Sequence, residues 1–275
     1  MDVKDAWNQW ADEEWYRRDR TEAAIGRIVE RPASAFHPVV FRLLSEVVGP
    51  WEGKNVLVPS SGDNHAAFAF HLLGAKVTST DIAERQLKHA ETIAAQHGWA
   101  VEFHQADTMT LSGEPDGAYD LVYTSNGVHM WIGDLGAMYG AVRRVLKPHG
   151  HYVLFEMHPF TRPFGDDTTR LTVVRPYGSL GPVGDPPRYL WRLQDIVNAM
   201  ISAHLRVERL EEFFAERDTY WYESDGGRSS LSAEEIDRLD DWTRNPLKAI
   251  PQWLAVLAAP TEGSMKASST DSTDS

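Results

Sequence analysis

Residues 56–64 have the sequence Val56-Leu57-Val58-Pro59-Ser60-Ser61-Gly62-Asp63-Asn64, which passes from a short apolar run through small residues into a helical pattern. Small residues at such a turn let the backbone approach a ligand closely. The helix that follows presents unpaired N–H groups and the positive end of its dipole. The stretch therefore predicts a strand, a turn and a helix that together suit a nucleotide-like ligand, although alone it is a weak indication.

From Asn55 onward, short β-rich runs alternate with helical segments, a pattern typical of a parallel sheet covered on both faces. The predicted strands are 55–59, 76–81, 101–105, 119–124, 152–156, 206–214 and 253–257. The helices predicted between them are 64–73, 84–97, 135–145 and 193–203. We therefore predict an α/β fold with a doubly wound, seven-stranded, mostly parallel sheet.

The rest of the chain is organised around this alternation. Residues 1–50 show short helical patches and are expected to form an N-terminal helical cap, and residues 159–190, rich in Pro, Gly, Arg and Asp, form a substrate-side insertion after strand 5. Loops of this length inside a domain are usually functional. We predict one domain over 1–260 and a disordered polar tail over 261–275.

Composition excludes several classes of function. The 275 residues carry a net charge of -13, so the basic surface that supplies nucleic-acid affinity is missing at the level of the whole chain. There is no cysteine, and neither a leader-like segment nor a run of about 18 apolar residues occurs. We expect a cytoplasmic protein that binds neither nucleic acid nor membrane, and the oligomeric state stays open.

Two acids follow predicted strands. Asp81 ends the second strand, nineteen residues after Gly62, and Asp107 follows the third. In doubly wound folds a carboxylate at the end of the second strand accepts hydrogen bonds from ribose hydroxyls. Asp at a strand end also caps helices, so each acid alone favours a structural role. The combination of Gly62 with both acids is more specific than any one of them.

With these features, the sequence resembles the class I S-adenosylmethionine-dependent methyltransferase family, whose fold is Rossmann-like. The similarity is good from Gly53 to Phe160 and looser to Leu257. Its most recognisable stretch, Arg144–Tyr152, is similar to the helix-turn-strand element before the family's fifth strand, and Tyr119–Tyr123 resembles its fourth strand. The resemblance implies S-adenosyl-L-methionine as cofactor and S-adenosyl-L-homocysteine as product.

The resemblance also implies which residues bind the cofactor. The turn would surround the methionine part, Asp81 would hold the ribose, and Asp107 would accept the adenine amino group. The end of the fourth strand would lie beneath the sulfonium. The implied set is Pro59, Ser60, Ser61, Gly62, Asn64, Asp81, Ile82, Asp107, Thr108, Met109, Thr124, Ser125 and Asn126.

The turn departs from the family pattern. The family has an acid followed by alternate glycines, where this chain has Val58, Ser60, Gly62 and Asn64. Asn tolerates the left-handed conformation, so the turn can still form. The missing acid leaves the cofactor's ammonium group without an assigned partner, and Asp63, Trp15 or a backbone carbonyl are the candidates. A dinucleotide fingerprint fits poorly, because it would need further glycines around Gly62.

Three side chains are candidates for acid–base chemistry at the acceptor: His129 after the fourth strand, and Glu156 and His158 after the fifth. We expect burial to raise the pKa of Glu156, which would suit a base. The alternatives are a cap or a pair with Arg162 for Glu156, and loop orientation for His158. Histidine spacing does not indicate a metal site.

Aromatic residues near the insertions suit an apolar or cationic acceptor. The predicted substrate-binding residues are Trp15, Trp131, Tyr177, Trp191 and Tyr222. Core packing is an alternative for at least half of them. Trp7, Trp10 and Trp15 are interpreted first as a core stripe and second as a lid over the cofactor.

The leading functional hypothesis is therefore methyl transfer to O, N or C of a small molecule. Two alternatives remain at this point: a non-catalytic regulatory protein that binds S-adenosylmethionine, and a protein or peptide methyltransferase. The acceptor is not predictable, because the resemblance covers the cofactor half of the site and leaves the other half to variable insertions.

Overall fold

The structure is a computed structural model, and it describes residues 1–165, 170–214, 232, 234, 237, 238 and 241–261. Tyr222 and residues 262–275 of the predicted tail lie outside the described residues. The strands are β1 Asn55–Pro59, β2 Lys76–Asp81, β3 Val101–Gln105, β4 Tyr119–Ser125, β5 Leu146–Met157, β6 Leu205–Phe213 and β7 Trp253–Pro260.

The α-helices are α1 Val3–Trp10, α2 Glu14–Asp19, α3 Glu22–Glu30, α4 Pro38–Val48, α5 His65–Leu72, α6 Glu84–His97, α7 Leu135–Val145 and α8 Leu193–Ser202. Four of them precede the sheet. Short 3-10 helices occur at Pro32–Ala35, His129–Trp131, Pro159–Thr161 and Pro246–Ala249.

The seven strands form one sheet in the order β3-β2-β1-β4-β5-β7-β6. β7 runs antiparallel to β5 and β6, and the other neighbouring strands are parallel. The predicted mostly parallel α/β sheet is confirmed. The strand order reverses between β1 and β4, and ligands of such sheets bind beyond the carboxyl ends of the strands at this point.

The core lies on both faces of the sheet. In β1, Val56 and Val58 pack with α4, α5 and α6 on one face, whereas Leu57 packs with α7 and α8 on the other. Because successive side chains of a strand point to opposite faces, a strand buried on both sides needs a continuous apolar run. This requirement explains why the strand limits of β1 were predictable.

β5 begins earlier than predicted, at Leu146 rather than Tyr152. Leu146 pairs with Tyr119, and the register of β4 and β5 shifts before Leu121 pairs with His151. At Gly150 an added Cβ would lie 2.8 Å from the carbonyl oxygen of Tyr119, so this close approach requires glycine. Within the part of the chain that is described, no helix is long and apolar enough to cross a membrane.

Candidate cofactor and acceptor site

The turn after β1 is attached to the end of β2. The Gly62 amide donates to Oδ2 of Asp81 at 3.1 Å, and Oδ1 of Asp81 accepts from the Ala83 amide at 2.9 Å. The Ser61 amide donates to the Thr80 carbonyl at 3.1 Å. Asp81 is only 6% exposed. The turn and the predicted ribose carboxylate thus form one hydrogen-bonded unit.

The turn achieves its shape without the alternate glycines of the family. Ser60, Gly62 and Asn64 all adopt left-handed φ angles, of 49°, 53° and 65°. Asn64 is fully buried, its Nδ2 donates to the Gly62 carbonyl at 3.0 Å, and its Oδ1 accepts from the Ser79 hydroxyl. These side-chain bonds offset the strain of the left-handed conformation, as the sequence analysis anticipated for Asn64.

The segment after β3 also contacts the turn after β1. The hydroxyls of Ser60 and Thr108 are 2.7 Å apart, and Thr108 is buried. Oδ1 of the neighbouring Asp107 accepts from the Met109 amide at 2.8 Å. The Ile82 carbonyl accepts from Gln105 at 3.0 Å. The structure therefore brings together the ends of β1, β2 and β3, where the sequence placed the turn and both acids.

The end of β4 holds Thr124 and Asn126 of the implied set. The Thr124 hydroxyl is 2.6 Å from the Tyr152 hydroxyl in the buried core. Asn126 has φ 39°, and its amide donates to the Phe155 carbonyl at 2.7 Å. Its side-chain oxygen is buried and accepts no hydrogen bond from the described residues.

Burial and hydrogen bonding act in opposite directions on Asp81. Burial raises the pKa of this carboxyl, and the backbone amides of Ala83, Gly62 and Ile82 partly counteract the effect. Asp63 adds negative charge nearby, and its Oδ1 accepts from the His65 amide at 2.9 Å. The turn therefore offers carboxylate oxygens, the acceptors that the ribose hydroxyls and the ammonium group of the implied cofactor would need.

Tyr16 on α2 also lies at the turn after β1, and no sequence pattern predicted it. The Tyr16 side chain is buried, and its hydroxyl would lie 3.1 Å from a Cβ added to Gly62. Arg20 lies over its ring at 4.8 Å. Burial, together with the charges of Asp63 and Asp81, raises the pKa of Tyr16. The sequence singled out the neighbouring Trp15 on the same helix but gave no indication of Tyr16.

Five aromatic residues, which we call the aromatic cover, join the N-terminal helices to the segment after β4. Trp131 lies 5.4 Å from Trp7 and 5.5 Å from Trp10 between ring centroids. Trp15, 40% exposed, stacks on Tyr16 at 4.3 Å. Because Tyr16 also meets Gly62, the aromatic cover extends from the segment after β4 to the turn after β1. Trp15 and Trp131, both predicted to bind substrate, are therefore in one cluster.

Glu156 is fully buried and accepts three backbone hydrogen bonds. Its Oε1 accepts from Gly127 at 2.7 Å and from Met157 at 2.9 Å, and Oε2 accepts from the His129 amide at 3.1 Å. Burial alone would raise the pKa of Glu156, but hydrogen bonding and charge from His129, with a contribution from Arg162, lower it overall. The expectation of a raised pKa was wrong.

His129 shares this buried position. Its Nε2 is 2.7 Å from the Tyr139 hydroxyl, and its Nδ1 is 3.5 Å from Oε2 of Glu156. The side chains of His129 and Glu156 have no solvent exposure. Together they fasten the turn after β4 to the end of β5. This geometry favours positioning over proton exchange with the acceptor.

His158 begins the insertion. Its Nε2 is 2.7 Å from Oε1 of Glu212 on β6, and its Nδ1 accepts from the Phe160 amide at 3.1 Å. Burial lowers the pKa of His158, and Glu212 opposes this effect. These contacts support loop orientation, the alternative given for this residue above.

Tyr177 and Trp191 fasten the insertion to the domain. The Tyr177 hydroxyl accepts from the Leu193 amide at 3.0 Å, and Trp191 Nε1 donates to the Ile132 carbonyl at 2.8 Å. Trp191 also lines an open groove of about 380 Å³ with residues of α8 and the start of α7. Among the described residues, no group of three or more His, Asp or Glu side chains has an arrangement that could hold a metal ion.

Part of the chain matches a known protein family. Residues 59–150 match the family model described as a methyltransferase domain. The ubiquinone biosynthesis O-methyltransferase of Bordetella avium is 29% identical over 120 residues, which are 44% of this chain and 49% of that protein. The chain thus spans about half the length of this curated relative.

Solved structures share the fold. A S-adenosylmethionine-dependent methyltransferase from Mesorhizobium loti matches 80% of this chain and 96% of its own, with a TM-score of 0.58 and 23% identity. A geranyl diphosphate methyltransferase in complex with S-adenosylmethionine matches 94% and 96%, with a TM-score of 0.58 and 14% identity. The domain match over residues 59–150 and the strand order agree with the resemblance to class I S-adenosylmethionine-dependent methyltransferases that the sequence indicates.

Proposed function

We propose that this protein transfers a methyl group from S-adenosyl-L-methionine to an O, N or C atom of a small molecule. The observation that carries the proposal is the contact between the Gly62 amide and Asp81, next to the contact between Ser60 and Thr108. These contacts gather the turn and both strand-end acids at the topological switch point of the sheet.

The residues present fit the cofactor. When bound, it would supply a methyl group activated by a sulfonium. Asp81 accepts backbone hydrogen bonds from Gly62 and Ala83, and the Ile82 amide also acts on it. An ionised carboxylate offers about four acceptor positions, so capacity for a ribose hydroxyl remains. Asp107 with Met109 would hold the adenine.

Asn126 provides a replacement for the acid that the turn lacks at Val58. Its buried amide oxygen has no hydrogen-bond donor in the described part of the chain. A buried acceptor without a donor is unfavourable, and an ammonium group would satisfy it. We therefore assign the amino group of the cofactor to Asn126, with Asp63 contributing negative charge.

Alignment and exclusion of water are what this chain would contribute to the reaction. Methyl transfer is an in-line displacement, so its main demand is for reactants held in position away from solvent. The aromatic cover lies over the turn and suits that task, with Trp15 and Trp131 on the acceptor side. We assign His129, Glu156 and His158 to positioning, because each is buried and hydrogen-bonded to protein groups.

A small-molecule acceptor is supported by two observations. The relative from Bordetella avium is named an O-methyltransferase of ubiquinone biosynthesis. The net charge of -13 disfavours a nucleic-acid acceptor. An oxygen atom is accordingly the first acceptor atom to test.

Two measurements test the proposal in sequence. Calorimetry should detect binding of S-adenosylhomocysteine, and its absence would overturn the proposal. Incubation with methyl-labelled cofactor and a panel of hydroxylated and amino metabolites should then transfer label to at least one of them. Binding without transfer to any acceptor would favour the non-catalytic alternative instead, and transfer only to peptides would favour a protein substrate.

A further inference from the structure

Two arginines that the proposed chemistry does not use meet at a small pocket after β5. Arg162 and Arg175 line it with Tyr177, Leu190 and neighbouring prolines and Ser179, and we call it the arginine pocket. The pocket follows the carboxyl end of β5, the edge of the sheet at which Gly62 and Asp81 lie. It is therefore on the side of the molecule expected to receive an acceptor.

Backbone pairing brings the two arginines together. Phe164 pairs with Val173 in an antiparallel bridge, and the amides of Val174 and Arg175 donate to the Pro163 carbonyl at 2.8 and 3.3 Å. Arg175 is thus held against the residue that follows Arg162. The pocket is formed by ordered backbone contacts and does not depend on exposed side chains alone.

Among the described residues, two guanidinium groups meet at the arginine pocket, and one carboxylate, that of Glu156, acts on Arg162. The Arg162 side chain is largely buried, and its Nε has no hydrogen-bond partner among the residues described. The Glu156 carboxylate already accepts three backbone amides. Burial lowers the pKa of Arg162, and the charge of Arg175 acts in the same direction. A guanidinium nevertheless stays protonated, so an anion would relieve the cost of burying it.

An apolar surface adjoins this charge. Phe160 is 43% exposed, and its ring centroid lies 5.9 Å from that of Tyr177, which lines the pocket. The pocket's volume is only about 10 Å³, so it would admit one oxygen of a terminal group while the rest of the ligand lies across Phe160. Arginine forks match the geometry of carboxylate and phosphate oxygens.

We propose that the arginine pocket binds the carboxylate or phosphate group of an acceptor that also has an apolar, ring-sized part. Its identification with the methyl acceptor rests on the proposed function. Anion binding by the arginine pocket can be tested without any methyl transfer.

The test uses calorimetry of the full chain with benzoate, phenyl phosphate and neutral benzamide. The variants are Arg162→Gln, Arg162→Lys and Arg175→Gln, and the matched control is Arg27→Gln, which removes an exposed charge on α3. We expect benzoate or phenyl phosphate to bind and benzamide to bind at least about tenfold more weakly. Arg162→Gln and Arg175→Gln should each weaken anion binding about tenfold, Arg162→Lys less, and Arg27→Gln not at all.

Comparing benzoate with phenyl phosphate shows whether the pocket prefers a carboxylate or a phosphate, since the preferred anion binds more tightly. Equal binding of benzoate, phenyl phosphate and benzamide, or unchanged anion binding in Arg175→Gln, would overturn the inference. Arg175 is exposed, so that variant should fold even if Arg162→Gln does not. S-adenosylhomocysteine binding without anion preference would reject the pocket and keep the proposed function. Anion preference without S-adenosylhomocysteine binding would support the pocket and reject the proposed function.

Discussion

The amide N of Gly62 lies 3.1 Å from Oδ2 of Asp81, so the turn after β1 is fixed to the end of β2 by a carboxylate that is almost fully buried. The same carboxylate is the proposed partner of the cofactor ribose. A single side chain thus shapes the turn and would complete the proposed ligand site. Removing the Asp81 side chain should therefore weaken cofactor binding both by loosening the turn and by removing the proposed ribose acceptor.

We expect Asp81→Ala to weaken S-adenosylhomocysteine binding by about 1–3 kcal/mol, because hydrogen bonds to a charged group are lost. Calorimetry gives the affinity. Asp120→Asn is the matched control, since Asp120 also accepts a backbone amide, from Asn55 at 2.9 Å, but at the opposite end of β1. Equal losses in both variants would mean that Asp81 acts through stability alone.

The buried carboxylates of Asp81 and Glu156 should contribute to stability with opposite pH dependences. Burial raises the pKa of Asp81, so its contribution to stability is present below the ordinary value of about 4 and is lost as pH rises through the raised value. Urea denaturation should show wild type losing stability relative to Asp81→Asn as the pH rises above about 4. A constant difference between pH 3 and 7 would contradict the direction of this shift.

The contribution of Glu156 to stability should depend on pH in the opposite direction. Its pKa is lowered overall, so its contribution is present above about 4.3 and is lost as pH falls through the lowered value. We expect Glu156→Gln to cost about 2–3 kcal/mol of unfolding free energy at pH 7, because a backbone amide loses its charged acceptor. The gap from wild type should narrow in acid. Glu91→Gln, at an exposed position on α6, should change little.

The limits of β1, β2 and β3 were predictable because each strand has a local pattern that ends at a recognisable turn. Tyr16 was missed because its contact with Gly62 depends on how α2 docks on the sheet, which no local pattern records. The pKa of Glu156 was predicted in the wrong direction because an apolar run indicates burial but not the three amides that surround the carboxylate. The arginine pocket was missed for a similar reason, since its two arginines meet only through the pairing of residues 164 and 173.

Gly62→Ala should lower the free energy of unfolding for two separable reasons. The left-handed φ of 53° costs a side-chain-bearing residue about 1–2 kcal/mol, and the new Cβ would lie 3.1 Å from the Tyr16 hydroxyl. In Gly98→Ala, φ is 69° and no atom lies within 4 Å, so only the backbone cost applies. Urea denaturation of Gly62→Ala in wild-type and Tyr16→Phe backgrounds measures the crowding. If Tyr16→Phe leaves the cost of Gly62→Ala unchanged, the Tyr16 hydroxyl is not the obstacle.

The aromatic cover should couple the N-terminal helices to cofactor retention. Trp7 and Trp131 meet edge to face at 5.4 Å, and such a pair is worth about 0.5–1.5 kcal/mol beyond the area it buries. Trp7→Ala and Trp131→Ala should each speed dissociation of S-adenosylhomocysteine, because either change loosens the cover over the Gly62 turn. The double variant should be less damaging than the two effects added together, since both remove the same contact. Stopped-flow displacement measures the dissociation rates, with Trp99→Ala, which packs on Phe68 away from the turn, as the control. Strictly additive effects would show that the two rings act independently and that the cover does not work as one unit.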